Sequence, residues 1–174
     1  FAVAWKGRLA AVSNLLSDEV SLYDVDPPRL AAAGVIPVGD EPRGVLIFGD
    51  QLLVMLAGED VVAKVDLASR KVLSKTAAGV EPWYGILSPD ATRLAVACAR
   101  SQEVRVFGLP DLKPLYRVAM RGHNLRGMAV SPDGLFAYVP NIAERGLGTS
   151  KDNIDRGWVV GNRLSRVPLT EEDV

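Results

Sequence analysis

The stretch Arg126-Gly127-Met128-Ala129-Val130-Ser131-Pro132-Asp133-Gly134-Leu135-Phe136-Ala137-Tyr138-Val139 decides the fold. It reads as a short strand, a tight Ser-Pro-Asp-Gly turn and a second short strand. Proline presets φ for the turn, and the aspartate accepts hydrogen bonds from the backbone just beyond it. A close copy lies upstream as Tyr84-Gly85-Ile86-Leu87-Ser88-Pro89-Asp90-Ala91-Thr92-Arg93-Leu94-Ala95-Val96-Ala97. A worn copy runs Arg43-Gly44-Val45-Leu46-Ile47-Phe48-Gly49-Asp50-Gln51-Leu52-Leu53-Val54.

The copies recur at a fixed step. Val20, Val62 and Val104 are 42 apart, as are Val25, Leu67 and Leu109, and Leu52, Leu94 and Phe136; Leu9 precedes Leu52 by 43. A period of about 40–45 residues holding four short strands is the signature of a propeller blade. In the third copy strands are expected at 84–88, 93–98, 102–109 and 113–120. Val104 and Val106 beside Leu94, Val96 and Cys98 show the period-two alternation of half-buried strands. The blades fall at about 1–38, 43–76, 84–120 and 126–169. In the last, Leu169 follows Leu109 by 60, which places an insertion of 18 residues near Ile142 to Gly161, read as a loop. The fold class is therefore all-β: a β-propeller of four-stranded antiparallel blades, with about four blades present. An open arc exposes blade faces and edges, so we expect a piece of a larger ring.

Composition bounds the function. The chain of 174 residues is 48% apolar and 24% charged with net charge −1, a globular profile without the basic excess that nucleic acid or anionic membrane requires. No apolar run reaches the roughly 18 residues of a membrane helix. Cys98 is the single cysteine, so neither an internal disulfide nor the C-x-x-C-H haem attachment pattern exists within this sequence. Position 1 is Phe and no secretory leader is evident, from which a lost leader or a fragment is expected.

The Ser-Pro-Asp-Gly copies, with Tyr138-Val139-Pro140-Asn141 after the turn, resemble the YVTN-type bacterial β-propellers. Three of the four family residues are kept there, while Val96-Ala97-Cys98-Ala99 and Val54-Met55-Leu56-Ala57 are degraded. The resemblance covers about residues 1–140. It implies a seven-bladed ring, related in architecture to WD-repeat and lactonase-like propellers, and a periplasmic or extracellular location. The stretch Asn153 to Arg166 is similar to bacterial surface or periplasmic propellers joined to c-type cytochrome domains of the di-haem peroxidase kind. That similarity implies haem c in a domain outside this sequence; no cofactor is expected within it.

Candidate site residues lie in the loops leading into the inner strands: Glu41-Pro42-Arg43-Gly44, Glu81-Pro82-Trp83-Tyr84-Gly85 and His123-Asn124-Leu125-Arg126-Gly127. On this fold such loops converge at one end of the central channel. Arg43, Trp83, Tyr84, His123, Asn124 and Arg126 form a polar mouth suited to an anionic or aromatic group, since guanidinium forks match carboxylate and phosphate. The alternative is that the Glu-Pro pairs shape the loops and each Arg pairs with a neighbouring Glu. No nucleophile or second His accompanies His123, so no catalytic constellation is assigned, and a lactonase-like hydrolase would need channel carboxylates or metal ligands that these loops do not assemble. Glu144, Asp152, Asn153 and Asp155 collect oxygen ligands, but the calcium-loop pattern fails and a solvated loop is the simpler reading. Asp18, Glu19, Asp24 and Asp26 are read as turn residues, Cys98 as a small buried residue, and Trp5, Trp83 and Trp158 as packing anchors between blades, with Trp83 alternatively facing the channel. Two functions stay open. One is a binding or scaffold module presenting its loops to a protein or small-molecule partner; the other is the propeller part of a haem-dependent oxidoreductase.

Overall fold

The structure is a computed structural model that describes residues 2–144, 146–157 and 159–170. Three repeat units fold as four-stranded antiparallel meanders in chain order. The first is β1 (Val3–Lys6), β2 (Leu9–Asn14), β3 (Glu19–Asp26) and β4 (Arg29–Pro37). The second is β5 (Pro42–Phe48), β6 (Gln51–Leu56), β7 (Val61–Asp66) and β8 (Lys71–Ala77). The third is β9 (Pro82–Leu87), β10 (Arg93–Cys98), β11 (Glu103–Gly108) and β12 (Lys113–Ala119). The fourth sheet has three strands among the described residues: β13 (Ala129–Val130), β14 (Phe136–Glu144) and β15 (Val160–Pro168), with α1 (Lys151–Asp155) between the last two. Inner strands neighbour one another in sequence, β1 with β5, β5 with β9 and β9 with β13. The blades are thus fanned as an arc of a β-propeller.

Alternation explains the fan. Successive side chains of a strand point to opposite sheet faces, so a blade held between two others must be apolar on both. β6 shows this: Leu52, Val54 and Leu56 join Ala11, Val20 and Ile36 of the first blade, while Leu53 and Met55 join Leu94, Val96 and Phe107 of the third. Between the third and fourth blades Ala95, Ala97, Val104 and Val106 meet Leu125, Ala137, Val139 and Val167. Each of the larger side chains here, Val, Leu, Ile, Met or Phe, contributes about 1.5–3 kcal/mol on full burial. The outer strands β4, β8 and β12 are mostly exposed.

The turns account for the wear in the repeat. In the third blade Ser88 Oγ accepts from Arg93 N (2.9 Å) and donates to Asp90 Oδ1 (2.6 Å), which also accepts from Thr92 N (3.1 Å). Ser131 and Asp133 repeat this with Phe136 N and Leu135 N, both at 3.0 Å. The Ser88 and Ser131 hydroxyls, and then the backbone N–H groups, hold Asp90 and Asp133 below the usual carboxylate range. The first two blades use two-residue turns instead, with Lys6 paired to Leu9 and Phe48 to Gln51 around Gly7 and Gly49 at φ of +60° and +59°.

The register corrects one expected column. Val25, Leu67, Leu109 and Leu169 donate their N–H to Arg8, Asp50, Thr92 and Leu135 respectively, which makes those four acceptors equivalent. The buried column two residues on is therefore Ala10, Leu52, Leu94 and Ala137, all buried. Leu9 and Phe136, expected there, are only half-buried and sit on the opposite face.

The inner strand of the fourth blade is also shorter than its sequence suggests. Pairing holds only at Ala129–Tyr138 and Val130–Ala137, then resumes at the isolated bridge of His123 to Ile142. Phe136 and Ile142 turn their backbone groups toward the inner strand, so Pro140, in the same phase, faces it without an N–H. The missing donor interrupts the ladder there. The insertion is not a plain loop. β14 and β15 stay paired out to Glu144 and Val160, and α1 is capped by Ser150 Oγ, which accepts from Asn153 N.

Two buried polar groups carry testable consequences. Cys98 is wholly buried, and burial pushes its thiol up to about 12, so it acts as a small apolar residue. We expect no reaction of native protein with an aromatic disulfide reagent, and one equivalent of thiol released on unfolding in urea. Glu103 is buried with Arg105 Nε at 2.7 Å and Arg117 Nη1 at 3.2 Å. Burial alone would raise its carboxyl; the two guanidiniums outweigh that and hold it below its ordinary value. A depressed folded pKa means stability that is present above the unfolded value, about 4.3, and lost as pH falls through the folded one. Glu103→Gln is expected to cost about 1.5 kcal/mol at pH 7 and to flatten the fall of the urea midpoint below pH 4.3.

Candidate functional site

The loops leading into the inner strands are held by a repeated latch between blades. Asp18 Oδ1 accepts from Glu41 N (3.2 Å) and Asp60 Oδ1 from Glu81 N (2.8 Å), while Gln102 Nε2 meets His123 Nδ1 at 2.9 Å. All three latch residues lie in the left-handed region, at φ of +56°, +58° and +53°. Among non-glycine residues Asp adopts that conformation more readily than most, which suits Asp18 and Asp60. Asp18 is therefore more than a turn former: it ties one blade to the next. Its signal was in the sequence, since Asp18, Asp60 and Gln102 are 42 apart.

On these latched loops three of the six candidate residues meet. Arg43 and Arg126 both lie over the Trp83 ring, with Cζ 4.2 and 4.1 Å from its centroid; coming from the blades on either side of Trp83, they approach it from opposite directions. Blades two, three and four each supply one member. The electron-rich faces of indole attract a cation on each side, which offsets the repulsion between two guanidiniums. Carboxylates complete the arrangement. Glu81 Oε1 accepts from Trp83 Nε1 at 2.8 Å, fixing the ring in its plane, and Glu41 Oε2 accepts from Arg43 Nη2 at 3.2 Å. Ser13, fully buried, donates from Oγ to the Arg43 carbonyl at 2.7 Å. Arg43 is thus both paired with its neighbouring Glu and part of the mouth. Arg43 Nε is buried without a hydrogen-bond partner, and Arg126 has no carboxylate partner among the described residues.

The other candidates are placed differently. Tyr84, next to Trp83 on β9, packs against the apolar cluster between blades three and four. It also reaches a cavity of about 210 Å³ along the inner strands β1, β5 and β9. His123 exchanges backbone hydrogen bonds of 2.7 and 2.9 Å with Ile142 and engages Gln102 through its ring. Asn124, at φ +63°, borders a separate cleft with Arg126. Trp5 is not a packing anchor: it is 67% exposed on β1, with its indole N–H donated to the Gly7 carbonyl. Trp158 lies outside the described residues. Of the oxygen ligands in the fourth blade, Asp152 pairs with Arg156 at 3.0 Å, and Asn153 spends its amide on the Gly148 carbonyl at 2.8 Å. Among the described residues no group of three His, Cys, Asp or Glu side chains gathers at metal-binding distance.

The blade arrangement is shared with solved structures. Hydrazine synthase of Kuenenia stuttgartiensis matches at TM-score 0.65 with 16% identity, over 98% of this chain and 63% of that one. A candidate 6-phosphogluconolactonase of Bacteroides uniformis matches at 0.75 with 13% identity, over 98% and 53%. The Cps50 (Swd1) β-propeller domain of Myceliophteria thermophila matches at 0.68 with 16% identity, over 79% and 50%. The fold is that of a β-propeller. At these identities the likeness concerns architecture alone, and the chain spans less than two thirds of each of those chains. No protein-family model and no curated protein matches it.

Proposed function

We propose that this chain is the ligand-binding propeller module of an exported bacterial protein of the YVTN type, and that the loops around Trp83 hold an anionic group. The observation that carries this reading is the Arg43–Trp83–Arg126 stack, assembled from three blades. A guanidinium already held over a ring loses little further freedom on binding, and the Arg126 side chain has no hydrogen bond to another described residue to give up. The family part rests on Tyr138-Val139-Pro140-Asn141. There the buried Asn141 bonds the Val139 carbonyl at 3.0 Å and Ser165 Oγ at 2.8 Å, so its role is to knit the hairpin. Benzoate titrated against 15N-labelled protein is expected to move the arginine Nε–Hε signals of Arg43 and Arg126. Arg126→Gln is expected to weaken binding about tenfold, the loss of one charge-assisted interaction. Unchanged affinity in that variant would overturn the site.

A second reading, the propeller part of a haem-dependent oxidoreductase, draws on the Asn153–Arg166 stretch. Its test is a haem stain and absorption spectrum of the full-length protein. A colourless full-length product whose reading frame lacks C-x-x-C-H would remove it.

A further inference from the structure

The three loops that carry the Arg43–Trp83–Arg126 stack are built alike up to one residue. Each stack member lies two positions after a residue in the left-handed region: Glu41 (φ +50°), Glu81 (+59°) and Asn124 (+63°). A buried residue separates the two each time, Pro42, Pro82 or Leu125. In the first two loops the carboxylate folds back onto the stack member. Glu41 Oε2 accepts from Arg43 Nη2 at 3.2 Å, and Glu81 Oε1 from Trp83 Nε1 at 2.8 Å. In the third loop the same place holds a carboxamide. Val38, Ala78 and Met120 donate their N–H to Asp18, Asp60 and Gln102 at equivalent points, and counted from there this loop is one residue longer. The extra residue lets His123 meet the latch residue Gln102 while Asn124 precedes the stack. Arg126 is exposed, and among the described residues its side chain makes no hydrogen bond or ion pair.

We infer that the residue two positions before each stack arginine decides whether an outside carboxylate can use it. The mouth then takes a single carboxylate, seated at Arg126, and Asn124 is the residue that sets this specificity. Glu41 covers Arg43 in the ligand's stead. This rests on the mouth as an anion site and adds which cation is open and why. Each cover is made within one loop, so its presence or absence is fixed by the residues named here. A glutamate two residues away is tethered, which gives it an effective concentration that a dissolved carboxylate does not match. The cover on Arg43 is nevertheless loose. Its bond is longer than the usual charge-assisted distance of about 2.7–2.9 Å, and the Arg43 and Glu41 side chains are 22% and 47% exposed. Such a pair holds weakly and can be outcompeted. At position 124 a carboxylate would occupy Arg126 and repel an arriving anion, whereas a carboxamide carries no charge and offers two N–H donors.

Glutamate already occupies the left-handed position in two of the loops, so Asn124→Glu is compatible with the fold. Asn124→Gln supplies the same shape without the charge. The test titrates the 15N-labelled parent and variants with benzoate. Asn124→Glu is expected to bind about fivefold more weakly than Asn124→Gln, and Glu41→Gln about threefold more tightly than the parent. A gain of affinity cannot come from a damaged fold. The ligand-free proteins give a second readout. The Nε–Hε signal of Arg126 is expected to differ between Asn124→Glu and Asn124→Gln, and that of Arg43 between the parent and Glu41→Gln. Equal affinities within both pairs, in a parent whose binding needs Arg126, overturn the inference and leave the mouth standing. A parent that does not bind benzoate overturns both.

Discussion

Replacing Gly44 by valine is expected to lower stability by about 3 kcal/mol, the upper end of overpacking penalties, read as a fall in the urea midpoint at unchanged slope. A Cβ at Gly44 would stand 3.0 Å from the Trp83 carbonyl and 3.4 Å from Tyr84 Cα, so the obstacle is the backbone of the neighbouring inner strand. Backbone held in a ladder cannot step aside as a side chain can. Gly85 provides the contrast. Its Cβ would run into Met55 Cε and stand 3.3 Å from Leu46 Cδ1, both ends of flexible side chains. Met55 is fully buried, and its thioether also lies 2.6 Å from where a Gly44 Cβ would be. One long side chain thus fills the seam that two glycines leave open. Gly85→Ala alone is expected to cost about 2 kcal/mol and Met55→Ala about 3, the first from overpacking and the second from a cavity. In the double variant the new methyl enters the space Met55 vacated, so the combined cost is expected to be at least 1 kcal/mol less than the sum. Strict additivity would mean that the two positions do not share that space.

Much of this architecture was readable because burial and repetition coincide. Val20, Val62 and Val104 repeat at 42 residues, and each is wholly buried. The error at Leu9 and Phe136 has a physical cause. At both ends of that column the buried position holds alanine, Ala10 and Ala137, next to a larger apolar residue that is only half-buried. Choosing by size selects the wrong neighbour, and a one-residue slip sends every side chain to the other face. Turn length added to the confusion. The inner strands of blades two and three are related by Glu41 and Glu81, 40 apart, while the strands after the turn are 42 apart. The shorter Gly49-Asp50 turn absorbs the difference.

The site was legible as a set of loops and not as a geometry. Arg43, Trp83 and Arg126 belong to different blades, and nothing along the chain says that two guanidiniums share one indole. Their meeting depends on the fan of the blades and on the latches of Asp18, Asp60 and Gln102, whose left-handed backbone is a property of the folded turn. The extension of β14 and β15 was hidden for a related reason. The segment from Ile142 to Gly161 breaks the period, and without a period there is no column from which to infer a strand. The pair Asn141–Arg163 is the counterpart of Cys98–Glu103, and only beyond it does the pairing of β14 with β15 outrun the other blades, from Ile142–Asn162 to Glu144–Val160.

Trp83→Leu is expected to abolish the mouth while leaving the propeller folded. Leucine restores apolar volume against the loop but offers no quadrupole to a cation, so it separates packing from cation–π attraction. Arg43 keeps its bond to Glu41 in this variant, whereas Arg126 loses its contact with the Trp83 ring. Two cation–π contacts at about 1 kcal/mol each correspond to roughly a thirtyfold loss of benzoate affinity, if their orienting effect passes wholly into binding. Stability is expected to fall by about 1–2 kcal/mol, because the ring is only half-buried and part of its burial is replaced. The ligand-free protein offers an independent readout. Protons held over an indole face resonate upfield, so the Hε signals of both arginines are expected to be ring-shifted in the parent and to return to ordinary positions in Trp83→Leu. Trp83→Phe is expected to fall between, since it keeps a π face and loses the Nε1 bond to Glu81. Arginine signals at ordinary positions in the parent protein would mean that the stack is not populated in solution. The anion reading of the mouth would then lose its support whatever the variants bind.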